Sequence, residues 1–233
     1  MPASNASPKK IIRKTVLSTY RARGKSINNI WLVYSPKTDS DWSLPSDRQL
    51  IHWLAFLETN SEVKSFDLDP DPVISHDNEK DKATIFDAVV TLQSGVTEYH
   101  EVKAGRNIEV SEQDRSQLAT QLNVARKDNI TYKRFNDIEL EPQAAFAMRW
   151  LYAIGFASAI RGNSHLPTAN ALMTIVQDKQ NGLVSDILCD MEAYDQAIVL
   201  GLLVRFSITG LVFLDLSKKT FGLSTPWIHL RSK

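Results

Sequence analysis

Residues 84–103 read TIFDAVVTL, then QSG, then VTEYHEVK: two runs rich in β-branched and aromatic residues around a loop that ends in glycine. This pattern predicts a β-hairpin, and a hairpin commits its neighbours to a sheet. Side chains alternate faces along a strand, so Asp87 shares a face with Ile85, Val89 and Thr91. On the second strand Glu101 shares one with Thr97, Tyr99 and Lys103. A three-residue loop centred on Ser94 sets Asp87 opposite Glu101, with Lys103 next along the same face. Any other loop type would slip the pairing by one residue and part them.

Two carboxylates roughly 5 Å apart repel by about 3 kcal/mol at an effective dielectric of about 20. A fold keeps such a pair where a cation or a shared proton offsets the repulsion. Lys103 supplies part of that, and a divalent ion could supply the rest. Mg²⁺ takes one or two carboxylates together with waters and substrate phosphates. The D…E-x-K arrangement therefore suits metal-assisted phosphodiester hydrolysis. Asp87 and Glu101 would be the metal ligands, and Lys103 would position or deprotonate the attacking water and stabilise phosphoryl charge. An E-x-K on its own usually marks a solvated strand face; the flanking elements decide.

Before the hairpin, Ile30–Tyr34 reads as a strand and SPKTDSDW as a polar loop. A helix from Ser46 as N-cap to about Glu58 follows, with Leu50, Trp53, Leu54 and Leu57 on one apolar face. Val63–Phe66 and Pro72–Ser75 read as short extended pieces. After the hairpin come a helix, Gln113–Lys127, and a strand, Ile130–Phe135. Pro142 marks a boundary. Beyond it helices are expected at 143–161, 167–180, 182–189 and 192–206, then a hairpin of Leu211–Leu216 and Leu223–Leu230 around Ser217-Lys218-Lys219.

This predicts an α/β (α+β) fold whose first part resembles a restriction-endonuclease-like mixed sheet flanked by helices and whose C-terminal part resembles a helical winged-helix domain. The expected division is a basic arm at 1–29, a catalytic domain at 30–141 and the C-terminal domain at 142–233.

Charge sharpens the reading. The chain carries 27 basic and 27 acidic residues, a net charge of zero that by itself argues against a nucleic-acid partner. The balance is segregated: residues 1–37 hold eight basic and no acidic residues, and residues 38–101 hold four basic and 14 acidic. Lys9, Lys10, Arg13, Lys14, Arg21, Arg23 and Lys25 form an arm suited to DNA phosphates. The acidic block repels DNA unless a metal sits among its carboxylates. One cysteine, Cys189, excludes an internal disulfide and a cysteine zinc cluster, fits a reducing compartment and reads as core. The opening MPASNASPKK has no apolar run, so no secretory signal is expected. The longest apolar stretch, Ala144–Ile160, is interrupted by Arg149 and too short to cross a bilayer, so a cytoplasmic protein without a membrane partner is expected.

The apolar strand ending in Asp87, the hairpin, and the helix and strand that follow make the core pattern of the PD-(D/E)xK superfamily. Within it, the chain resembles TnsA-type endonucleases, the subunits of heteromeric bacterial transposases that cut the 5′ ends of the element. The stretches that carry the resemblance are YRARGK, SPKTDSDWSLPSDRQLIHWLAFLE, FDAVV, EYHEVKAG and QLNVARKDNITYKRFNDIEL, in the expected order over most of residues 20–140. The end, GLLVRFSITGLVFLDLSKKTFGLSTPWIHL, resembles the C-terminal region of short TnsA-like proteins. The resemblance implies Asp87 and Glu101 as ligands of Mg²⁺ or Mn²⁺, Lys103 as the catalytic lysine, and double-stranded transposon-end DNA as substrate. It also implies a DDE-type transposase and an AAA+ ATPase regulator as partners. One position departs from the family: Gln49 stands where an acidic residue is usual on the first helix. Its carbonyl could ligate or hold a water, but it carries no charge.

The remaining candidates are peripheral. His52 lies one turn beyond Gln49 and could approach the site, and Gln117 and Gln121, one turn apart, could face the site or DNA. His100 alternates away from Glu101 and is expected to pack. Asp67, Asp69 and Asp71 imitate the start of a calcium loop, but Pro72 and Asn78 stand where glycine and glutamate are needed. The 192–206 helix carries only Arg205 as a cation, which favours protein docking over DNA reading, with Lys218 and Lys219 of the wing left for phosphate.

Overall fold

A computed structural model describes residues 29–77, 80–105 and 112–230. The basic arm, from Lys9 to Lys25, lies outside the described residues.

The chain forms an α+β fold on a four-stranded mixed sheet flanked by helices. Strands β1 (Trp31–Ser35) and β2 (Ser40–Leu44) form a hairpin that leads into helix α1. Helix α1 begins as Asp47–His52 and continues as a π-helical stretch, Trp53–Glu58. Ser46 caps it: its hydroxyl accepts from the Gln49 amide at 3.2 Å. Strand β2 corrects the reading of SPKTDSDW as a loop. A two-stranded ribbon with one solvated face tolerates such polar residues, so its composition imitates a loop.

The sheet has the order β3 (Val63–Asp67), β6 (Ala88–Leu92), β7 (Thr97–Val102), β8 (Thr131–Phe135). The first three strands are antiparallel and β7–β8 is parallel. The β6–β7 register pairs Ala88 with His100 and Val89 with Tyr99, as the loop centred on Ser94 requires. Gly95 takes φ +83°, the left-handed region that closes such a turn. The expected strand from Thr84 is broken: β4 (Val73–Asp77) and β5 (Lys80–Thr84) form their own ribbon, and β6 starts only after Ile85-Phe86-Asp87.

Each face of the sheet packs on a helix. Ala88, Val90, Val63 and Phe66 meet Leu50, Trp53, Leu54 and Leu57 of α1, all buried. On the other face Phe86 and Tyr99 meet Val124 and Ala125 of helix α2 (Glu112–Lys127). A short helix α3 (Asp137–Leu140) follows β8. Arg48 of α1 makes a two-point ion pair with Asp137, whose Oδ2 also accepts from the Gly105 amide at 2.9 Å. The chain just past Lys103 is thereby tied to the start of α1.

The C-terminal part holds helices α4 (Ala144–Ala159), α5 (Leu166–Lys179), α6 (Val184–Asp190) and α7 (Gln196–Ile208). Its terminal hairpin, β10 (Val212–Leu214) with β11 (Pro226–His229), is joined by β9 (Asn181–Leu183), a strand of three residues that the sequence did not betray. Asp195 caps α7, so that helix starts four residues later than its apolar pattern suggested. Cys189 is exposed rather than core: Ile187 and Leu188 face inward on α6 and the thiol turns outward. Helix α7 is itself a core element. A Cβ on Gly201 would stand 2.7 Å from the Phe156 carbonyl oxygen of α4, and Arg205 donates to the carbonyls of Ile160 and Asn163. One buried apolar cluster runs from Val33 to Trp227 across Pro142. Among the described residues no helix is long and apolar enough to cross a membrane.

Candidate active site

The site lies where the chain enters β6 and leaves β7. The Asp87 amide donates to the His100 carbonyl at 3.0 Å, which extends the β6–β7 pairing by one residue and sets Asp87 beside the end of β7. Its carboxylate is held on both oxygens: Oδ1 accepts from Gln49 Nε2 at 2.9 Å and Oδ2 from the Val102 amide at 2.7 Å. Glu101 is buried, with Oε1 2.8 Å from Lys103 Nζ and Oε2 accepting from Gln121 Nε2 at 2.8 Å. Lys103 Nζ also donates to Gln117 Oε1 at 3.1 Å. Gln121 in turn accepts from the Tyr132 hydroxyl at 3.0 Å.

Gln49 and Asp87 thus form one bonded pair, and Glu101, Lys103, Gln117 and Gln121 form a bonded cluster beside it; Val102, whose amide holds Asp87, stands between Glu101 and Lys103 on the chain and brings the two groups together. Alternation along β7 explains the division of labour. Tyr99 and Glu101 face α2, whereas Glu98 and His100 face α1. The two glutamines sit one helical turn apart on α2 and so reach two neighbouring groups of one strand.

The electrostatics concentrate on Asp87. Burial pushes its carboxyl up to about 6, the Glu101 charge adds to this, and the Val102 amide, Lys103 and Gln49 pull the other way. Removal of solvent and a like charge are the two influences that make a carboxylate seek a cation. Among the described residues there is no group of three or more His, Cys, Asp or Glu side chains able to hold a metal. Gln49, whose nitrogen is turned to Asp87, brings no charge to this pair.

His52 reaches the site's edge without entering the bonded cluster. A cavity of about 230 Å³ is lined by Gln49, His52, Asp69, Ile85 and Asp87 among others, so Asp69 of the rejected calcium-like loop faces the same space. His52 Nε2 lies 3.1 Å from His100 Nδ1, and His100 Nε2 lies 3.0 Å from Glu98 Oε2, which Lys133 also approaches at 2.8 Å. His100 is therefore buried packing on the face away from Glu101. Burial holds the His52 imidazole well below its usual range, and the neighbouring His100 adds to this.

Sequence reasoning missed Tyr132 and the Val102 amide. Alternation in ITYKRF puts Tyr132 and Arg134 on one face, but the parallel β7–β8 register that sets Tyr132 beside Tyr99 crosses a helix and has no turn to declare it. The Val102 amide points into the site because β6 gives way to Asp87 there, and no residue type signals that. No protein-family model matches the chain, and no curated protein matches it in sequence.

Proposed function

We propose that the chain is a metal-dependent DNA endonuclease that hydrolyses phosphodiester bonds at the 5′ ends of a transposon, in the cytoplasm, with a DDE-type transposase and an AAA+ regulator. The observation that carries this reading is the meeting of Asp87, Glu101 and Lys103 at one end of the sheet, with the Asp87 carboxyl raised by burial and by Glu101. The transposition setting rests on the resemblance to TnsA-type endonucleases.

The residues fit a hard divalent ion. Each of the four oxygens of Asp87 and Glu101 accepts one bond from a described residue, and a carboxylate oxygen has a second lone pair to give. Asp87 and Glu101 would hold Mg²⁺ or Mn²⁺, which when bound supplies Lewis-acid stabilisation of charge on the phosphoryl oxygens. Gln49 keeps Asp87 oriented with its amide nitrogen, and among the described residues its carbonyl oxygen has no side-chain partner, which leaves it for a water. Lys103 spends two of its three N–H bonds on Glu101 and Gln117. Among the described residues the third has no partner, which leaves it for a water or a phosphoryl oxygen, where it would lower the cost of developing negative charge.

The test is Mg²⁺-dependent nicking by purified protein, with and without the transposase, alongside transposition in cells. Asp87→Ala and Lys103→Ala each lower cleavage at least about 100-fold. If both keep full activity, the site assignment is wrong. A second reading, a DNA-binding assembly subunit with a degraded metal site, draws on Gln49 in the acidic position; it expects neither variant to alter transposition. A stand-alone restriction or defence nuclease would share the site chemistry and lack transposase and ATPase genes beside its own.

A further inference from the structure

The polar chain behind Glu101 extends one residue further than the proposed chemistry uses. Tyr132 stands on β8, in parallel register with Tyr99, and is only half-buried. Its hydroxyl lies 3.0 Å from Gln121 Oε1, and Gln121 Nε2 lies 2.8 Å from Glu101 Oε2. The direction of every bond is forced. An ionised Glu101 only accepts, so the Gln121 amide must turn its NH₂ to it, which leaves Oε1 facing the phenol and obliges the phenol to donate. Burial, and next the Glu101 charge, push the Tyr132 hydroxyl above its usual range, so it keeps the proton it needs to donate.

We propose that Tyr132 is a positioning residue: it holds the Gln121 amide in the orientation that fixes Glu101 Oε2, so that Glu101 Oε1 and Lys103 keep their places. This rests on the nuclease reading and names a residue that reading did not use. Tyr132 does not touch the reacting atoms. Without its hydroxyl, the carbonyl of the buried Gln121 loses that donor, and the amide becomes free to swing away from the carboxylate. Hydrogen-bond chains of this kind polarise each member, so removing the far end weakens the near one. Partners behind a metal ligand commonly contribute 10–100-fold (a rough range) to metal affinity or rate.

Tyr132→Phe removes one oxygen and keeps the ring beside Phe86, whose centroid lies 6.2 Å away. Full-length wild type and variant are compared by calorimetric titration with Mn²⁺, by nicking of supercoiled plasmid, and by thermal unfolding. The expected result is a roughly tenfold fall in both Mn²⁺ affinity and kcat, with KM for DNA and Tm nearly unchanged. In a Gln121→Ala background the same substitution has no further effect, because the link it acts through is gone. A purely structural role would instead lower Tm and add its loss on top of Gln121→Ala.

Wild-type Mn²⁺ affinity and kcat in Tyr132→Phe, or full additivity with Gln121→Ala, overturns the proposal. If the wild type binds Mn²⁺ but cuts no DNA, the nuclease reading falls, and the Mn²⁺ titration alone decides on Tyr132. If the wild type neither binds Mn²⁺ nor cuts, both fall.

Discussion

Asp87 stores the tension on which the proposed site depends. Its carboxyl is raised from 3.8 to about 6, so the folded state holds the proton more tightly than the unfolded chain does. That contribution to stability is complete below pH 3.8 and is lost as pH rises through about 6. Asp87→Asn has no charge to lose. Its oxygen can accept from the Val102 amide while its NH₂ donates to Gln49, once that amide turns over. In the absence of divalent ions at pH 7.5, Asp87→Asn should be more stable than wild type by on the order of 2 kcal/mol, while cutting no DNA. Denaturant melts with a chelator present check this, and an Asp87→Asn protein less stable than wild type would contradict the electrostatic account. His52 pulls in the opposite sense. Its folded pKa lies well below its usual 6.5, so its contribution is complete above pH 6.5 and is lost as pH falls. In the Asp87→Asn background stability should therefore drop from pH 7 to 5, and His52→Gln should reduce that slope by up to one proton.

Elements with local signals were legible and elements held by distant pairing were not. The β6–β7 hairpin could be read down to its register because the turn between Leu92 and Val96 sets it, and Asp87, Glu101 and Lys103 came with it. Helix α1 was equally plain, since Ser46 caps it and its apolar face repeats at 3, 4 and 7. Strands β2 and β9 escaped, one polar and one only three residues long, because their partners rather than their compositions make them strands. The Tyr132 link escaped for the same reason, across a parallel pairing. The α4–α7 contact belongs to this scale too. Gly201 lets the two backbones approach, and with Phe156 O only 2.7 Å from an added Cβ, Gly201→Ala must push the helices apart. A loss of about 2 kcal/mol is expected from thermal melts, with the sheet's Mn²⁺ affinity unchanged. An unaffected Tm would mean the helices pack more loosely than this.

Across the whole molecule, a net charge of zero conceals opposed segments, an opposition compatible with the proposed metal-dependent nuclease. On the proposed reading, Asp87 and Glu101 of the acidic block would hold the metal, and the basic arm would meet DNA phosphates. If Lys9, Lys10, Arg13 and Lys14 meet phosphates, replacing all four with alanine should weaken DNA binding and flatten its logarithmic salt dependence by about 0.9 per lost contact. An unchanged slope in binding titrations over a salt series would remove the arm from the interface. The larger apolar cluster, which runs from Val33 to Trp227, ties the C-terminal helices to the sheet that carries the site.

The central claim, that Asp87, Glu101 and Lys103 form a metal-dependent phosphodiesterase centre, is tested most directly by nicking of DNA under Mg²⁺ with wild type and Lys103→Ala side by side. The account predicts cleavage by wild type, its abolition by chelator, and a loss of at least about 100-fold in the variant with the fold intact. Equal cleavage by the two proteins, or cleavage that survives the chelator, would contradict it.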